Sequence, residues 1–151
     1  MTETLNALSM ITKAGVPANK IVVGVTGYGR SFQMTTPGCT GPTCTYTGPE
    51  SGATKGRCTG TAGYISNAEI RDILDTNPTA KKIFDSATQT DILVYNETQW
   101  VGYMSDNNKI ARKQRFKALN VSPPPRIFLV VCLTKNTSFL GQPTGPSALT
   151  T

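Results

Sequence analysis

The chain has 151 residues and a mass of 16.1 kDa, which suits one domain and falls well short of a complete (β/α)8 barrel of roughly 250 residues. Its 38% hydrophobic and 16% charged residues, with 14 Gly and 10 Pro, permit a core but commit much of the length to turns and loops, which argues against a helical bundle. Lys and Arg outnumber Asp and Glu by 15 to 9, a net charge of +6, and the absence of His removes a Ser-His-Asp triad, a Cys-His pair and every His-ligated zinc site.

Leu5, Leu8 and Ile11 recur at helical spacing, Gly15 and Pro17 stop the pattern, and the apolar run at residues 21–25 follows as a buried strand. This is one step of an α/β protein. A parallel strand needs covered flanks that a single helix cannot supply, so the strand belongs to something larger. Residues 34–63 are dense in Gly, Pro, Thr and Ser without periodicity and are expected to form a structured loop or short-strand insertion. Cys39, Cys44 and Cys58 fall within it and Cys132 lies far away. With no CxxC knuckle, zinc is not expected, whereas a loop stapled by one disulfide in a secreted protein is.

Helix returns at the capping box Ser66-Asn67-Ala68-Glu69, with Ile70, Ile73 and Leu74 as its apolar stripe and Asn77-Pro78 as its stop. Short runs at residues 82–85, 91–95 and 99–104, separated by polar turns, predict an antiparallel meander. Ser105 or Asp106 then caps a last helix through about residue 119. Lys109, Arg112, Lys113, Arg115 and Lys117 crowd it, with Asp106 as its only acid. Such a stretch can bind phosphate or an anionic surface, but a solvated helix face is the preferred reading because no nucleic-acid motif accompanies it. After Asn120 the Ser122-Pro123-Pro124-Pro125 run forbids further helix, and residues 121–151 read as a foreign, disordered tail. The apolar run at residues 127–133 is too short for a membrane span of about 20 residues, and no basic-then-apolar leader opens the chain. Sequons begin at Asn96, Asn120 and Asn136, which favours secretion.

The segment Lys20-Ile21-Val22-Val23-Gly24-Val25-Thr26-Gly27-Tyr28-Gly29-Arg30-Ser31-Phe32 closely resembles the seventh barrel strand of glycoside hydrolase family 18 chitinases, which ends in a Tyr-Gly-Arg-Ser/Thr-Phe signature. That family inserts a small α+β domain before rejoining its barrel. Here Gly63-Tyr64-Ile65-Ser66-Asn67-Ala68-Glu69-Ile70 looks like the start of the insertion's helix, and Gln99-Trp100-Val101-Gly102-Tyr103 like its closing strand. The cysteine segment Pro37-Gly38-Cys39-Thr40-Gly41-Pro42-Thr43-Cys44 is similar to fungal members, including chitinase-like killer-toxin subunits. The resemblance covers about residues 3–120. It implies an α+β fold: a chitinase insertion domain, an antiparallel sheet with one helix, attached to a fragment of the barrel. The implied division is residues 1–33 barrel helix and strand, 34–104 insertion, 105–120 barrel helix and 121–151 tail.

By resemblance the substrate is chitin or N-acetylglucosamine oligosaccharide, the location extracellular, and the substrate-binding residues are Tyr28, Arg30 and Glu69. No cofactor, metal or nucleic-acid partner is expected. No catalytic residue is assigned either, because the family's acid lies in an Asp-x-x-Asp-x-Asp-x-Glu motif that this chain does not contain. Asp72 to Thr79 matches two acidic positions of it only and reads as helix surface. The family departs from the two-carboxylate scheme, since the substrate's own acetamido oxygen is the nucleophile while a Glu protonates the leaving oxygen. The chain therefore reads as a chitinase fragment that is inactive alone. The alternatives are a non-catalytic chitin-binding module and a basic secreted interaction protein. Glu69 has two readings, a capping carboxylate or a sugar contact beside Arg30. The second requires Arg30 and Glu69 within salt-bridge reach, and opposite faces would remove both from the site. Trp100 reads as a packing residue joining insertion to barrel.

Overall fold

The structure, a computed structural model, describes residues 2–41, 43–118 and 127–128. Helix α1 (Thr2–Lys13) ends where Gly15 takes a left-handed φ of +92°, which the amide of Val16 closes by donating to Ile11 O at 3.3 Å. Gly pays no Cβ penalty there. A short 3-10 turn (Ala18–Lys20) follows, then β1 (Val25–Thr26) and β2 (Tyr28–Gln33). After the long loop come β3 (Tyr64–Ser66), α2 (Asn67–Thr76), β4 (Lys81–Asp85), β5 (Thr90–Tyr95), β6 (Gln99–Tyr103), α3 (Asp106–Ala118) and β7 (Ile127–Phe128).

Five strands form one antiparallel sheet in the order β3-β2-β6-β5-β4. The expected meander is its β4-β5-β6 half, in register through Leu93↔Val101 and Val94↔Trp100. Strand alternation puts Ile65, Leu93, Tyr95, Val101 and Tyr103 on one face, where they meet Ile70 of α2 and form the main core. Ile70, Leu93 and Val101 are fully buried, each worth roughly 1.5–3 kcal/mol by area removed from water. Gly29 sits at the tightest point of that face. A Cβ there would stand 2.6 Å from Val101 Cγ1 and 3.1 Å from the Gly102 carbonyl, so only glycine fits between the strands.

A second, smaller cluster joins Leu8 of α1, Ile21 and Phe116 of α3, with Val23 packed on it. Among the described residues the expected strand at 21–25 shrinks to Val25–Thr26, paired parallel to β7. Val22 is half exposed, because a strand takes its ladder from neighbours and few lie beside it among the described residues. Two residues of the expected disordered tail, Ile127 and Phe128, are that neighbour; the rest of the tail lies outside the described residues.

The Tyr-Gly-Arg-Ser-Phe strand was expected within the barrel fragment at residues 1–33. Its pairing with β3 and β6 instead makes it a central strand of the antiparallel sheet, and the chain changes sheets at Gly27. The 34–63 segment contains no helix among the described residues, as expected, and holds a Met34↔Tyr46 bridge and a Cys39–Cys44 disulfide. Cys58 is disulfide-bonded too, so the expectation of a single disulfide falls short.

Candidate functional site

The sheet's two faces are not alike. The face opposite α2 carries Tyr28, Arg30 and Phe32 from β2, Tyr64 from β3 and Trp100 from β6, set side by side by the Arg30↔Tyr64 and Phe32↔Trp100 register. The rings of Tyr28 and Tyr64 are 5.7 Å apart, Phe32 and Trp100 6.0 Å, and Phe32 and Tyr46 5.1 Å. Arg30 Cζ lies 4.2 Å above the Tyr64 ring, a cation–π contact that holds the guanidinium in place while leaving its edge donors to solvent. Tyr28, Tyr64, Thr59 and Thr61 line a cavity of about 400 Å³ beside it.

Tyr28 is half-buried and Arg30 exposed, with no carboxylate partner among the described residues. Trp100, expected to join insertion to barrel, packs against its own sheet: its indole lies over Gly102, where a Cβ would meet Cη2 at 3.0 Å, and faces Phe32.

Glu69 is only 6% exposed, and its carboxylate closes the capping box. Oε2 accepts from the Ser66 amide at 3.4 Å and the Ser66 hydroxyl at 3.1 Å, while the Glu69 amide donates to Ser66 Oγ at 3.2 Å. Its charge is felt on the α2 side: the Tyr95 hydroxyl is held above its ordinary pKa, first by burial and then by Glu69. Arg30 alternates to the other face. The expected Arg30–Glu69 pair does not form, because a one-residue step along β2 turns the side chain away from the helix. Glu69 closes the cap of α2. The opposite faces remove the two residues as a paired site; Arg30 instead stands beside Tyr28 and Tyr64.

The acidic pair on α2 is helix surface, as expected: Asp72 Oδ2 accepts from Arg57 Nη2 at 3.0 Å and Asp75 is exposed. The basic helix α3 is partly consumed by structure. Arg112 Nη2 donates to Gln89 O at 2.9 Å, with its pKa lowered by burial, and Lys109 pairs with Asp106 at 3.0 Å. Lys113, Arg115 and Lys117 remain exposed. Among the described residues no group of three or more His, Cys, Asp or Glu could hold a metal ion. No helix there is long and apolar enough to cross a membrane.

Tyr64 and Phe32 were not singled out from sequence. Alternation along β2 links Phe32 to Arg30, but Tyr64 joins them only through cross-strand register, which no local signal carries.

Residues 2–120 match glycosyl hydrolases family 18. The chain belongs to that family. Its family 18 relatives include the probable chitinase LysM18 of Penicillium expansum, 54% identical over 124 residues, which are 80% of this chain and 9% of the relative. The secreted chitinase LysM12 of the same organism is 48% identical over 125 residues, again 80% of this chain and 8% of the relative. Among solved structures, human YKL-39, described as a pseudo-chitinase with retained chitooligosaccharide binding, is 28% identical at a TM-score of 0.70. That match covers 82% of this chain and 31% of YKL-39. The chain thus spans about a tenth of the length of the curated relatives it matches and under a third of the solved one. Its α+β architecture is that of a piece of the family 18 fold.

Proposed function

We propose that this chain forms one wall of the chitooligosaccharide cleft of a secreted family 18 chitinase and does not hydrolyse chitin by itself. The observation that carries the reading is the open face on which Arg30 is stacked over Tyr64 beside Tyr28. A pyranose ring presents apolar C–H faces and polar edges. Tyr28 and Tyr64 suit the faces, and the Arg30 fork suits hydroxyl and acetamide oxygens. Prepositioning by the ring limits the rotamer entropy lost on binding.

Hydrolysis needs a carboxyl that stays protonated until the leaving oxygen takes its proton, and loss of such an acid costs about 10²–10⁴-fold. Three of the described carboxyls are committed elsewhere. Glu69 is spent on the cap, and Asp85 and Asp106 are held below their ordinary pKa by hydrogen bonds from Thr88 and Lys109. The Asp-x-x-Asp-x-Asp-x-Glu motif is not among these 151 residues. Secretion draws support from the Cys39–Cys44 disulfide and the bonded state of Cys58, since such bonds persist in oxidising compartments.

The test is titration with the N-acetylglucosamine tetramer, followed by ring resonances of Tyr28 and Tyr64, alongside a reducing-end assay on colloidal chitin. Binding is expected near the millimolar range, with about a tenfold loss in Arg30→Ala or Tyr64→Ala, equivalent to about 1.4 kcal/mol, and no sugar release. Release of oligosaccharides by the purified chain overturns the reading. Firm retention on insoluble chitin would instead make the face a free-standing binding module.

A further inference from the structure

The β5–β6 hairpin turns at Asn96-Glu97, both with left-handed backbone, φ +47° and +63°. Asn96 is exposed and opens the sequon Asn96-Glu97-Thr98. The turn is pinned rather than loose. Glu97 O accepts from the Gly38 amide and Thr98 O from the Met34 amide, each at 2.7 Å.

A chain of hydrogen bonds decides which end of the Asn96 amide faces outward. The Thr79 backbone N–H can only donate, and it points at Asn77 Oδ1 at 2.9 Å, which fixes that amide's orientation. Asn77 Nδ2 therefore donates to Asn96 at 2.9 Å, and the atom receiving it must be Oδ1. Thr79 Oγ1 donates its proton to Asn77 Oδ1 at 2.7 Å, stands 3.3 Å from the same Asn96 oxygen, and accepts from the Asn96 backbone N–H at 2.9 Å. Among the described residues the neighbours of the Asn96 side chain meet it at Oδ1 and none meets Nδ2.

We propose that Asn96 is an N-glycosylation site. In the transfer, Nδ2 forms a bond to the anomeric carbon of an oligosaccharide carried on a lipid pyrophosphate. The C–O bond to the pyrophosphate breaks, the lipid pyrophosphate departs with the electron pair, and one amide proton passes to the transferase's base. The product keeps Oδ1, so Asn77 and Thr79 hold the modified residue as they hold the free one. Asn77 is the C-cap of α2, so the oxygen that stays bound is tied to the end of that helix. Natural occupancy rests on the secretion half of the proposed function, and the experiment separates the two.

The full chain is expressed in a eukaryotic host behind an added secretion leader, so passage through the secretory pathway no longer depends on the native route. Peptides from the medium and from the endoplasmic reticulum fraction are treated with a glycosidase that converts glycosylated Asn to Asp, in heavy-oxygen water, and read by mass spectrometry. Most copies of the Asn96 peptide are expected to carry the label. In an Asn120→Gln, Asn136→Gln background, Thr98→Ala is expected to abolish the remaining mobility shift and Thr98→Ser to keep it. Unlabelled Asn96 in chain recovered from either fraction overturns the proposal and leaves the secretion reading standing. Labelled Asn96 together with native protein found only inside cells would do the reverse.

Discussion

Tyr103 and Asp91 show how single residues on the helix-covered face set a pH limit on the fold. Asp91 is 3% exposed and accepts from the Ser105 amide at 2.8 Å and Asn108 Nδ2 at 3.2 Å, with Lys82 Nζ at 3.7 Å. The Tyr103 hydroxyl beside it is pushed up to about 12 from its ordinary 10.0, first by burial and then by the Asp91 charge. Above pH 10 the unfolded chain gives up this proton while the folded chain keeps it, so the unfolded state binds fewer protons and stability falls as pH rises from about 10 to about 12. Urea midpoints measured across that window should drop less steeply in Tyr103→Phe than in the parent, and parallel slopes would refute the assignment. The residues of the Arg30 face were only half legible at this scale. Tyr28 and Arg30 stand out in their motif, but the side of the sheet that each side chain takes is a tertiary property, and it separated Arg30 from Glu69.

At the scale of elements the local code was explicit wherever it was self-contained. The capping box on α2, the Asn77 stop and the three-strand meander all appear within a residue or so of their expected bounds, because caps, polar turns and alternation act over a few neighbours. Ser66→Ala should cost about 1 kcal/mol by thermal unfolding, the usual value of a lost N-cap. Glu69→Gln should cost less than Glu69→Ala, since Gln also closes a capping box. Equal costs for the two would mean that Glu69 acts through its charge and not its cap. The strand expected at residues 21–25 marks the opposite case. Its apolar residues advertise burial, yet among the described residues only Val25 and Thr26 find a ladder partner, since a parallel strand is completed by distant chain.

The described residues gather into two cores of unequal size. Among the described residues six buried side chains knit α2 to the sheet, whereas three, Leu8, Ile21 and Phe116, tie α1 to α3 with Val23 packed on them, and Met10, Val22 and Ile110 are exposed. Local opening follows buried contacts. Amide exchange should therefore be slowest in β5 and β6 and markedly faster throughout α1. Uniform protection would show that the two halves unfold as one unit.

By itself the sequence determined family, helix caps, turn positions and the alternation of each strand, because these depend on residue type and on spacing over a few positions. Tertiary structure alone decided that the Tyr28–Gln33 strand joins the antiparallel sheet, that Tyr64 lies under Arg30, and that Glu69 faces the helix side. The reason is physical: cross-strand register brings together residues 34 positions apart in the Arg30↔Tyr64 pair, and no local preference specifies that meeting.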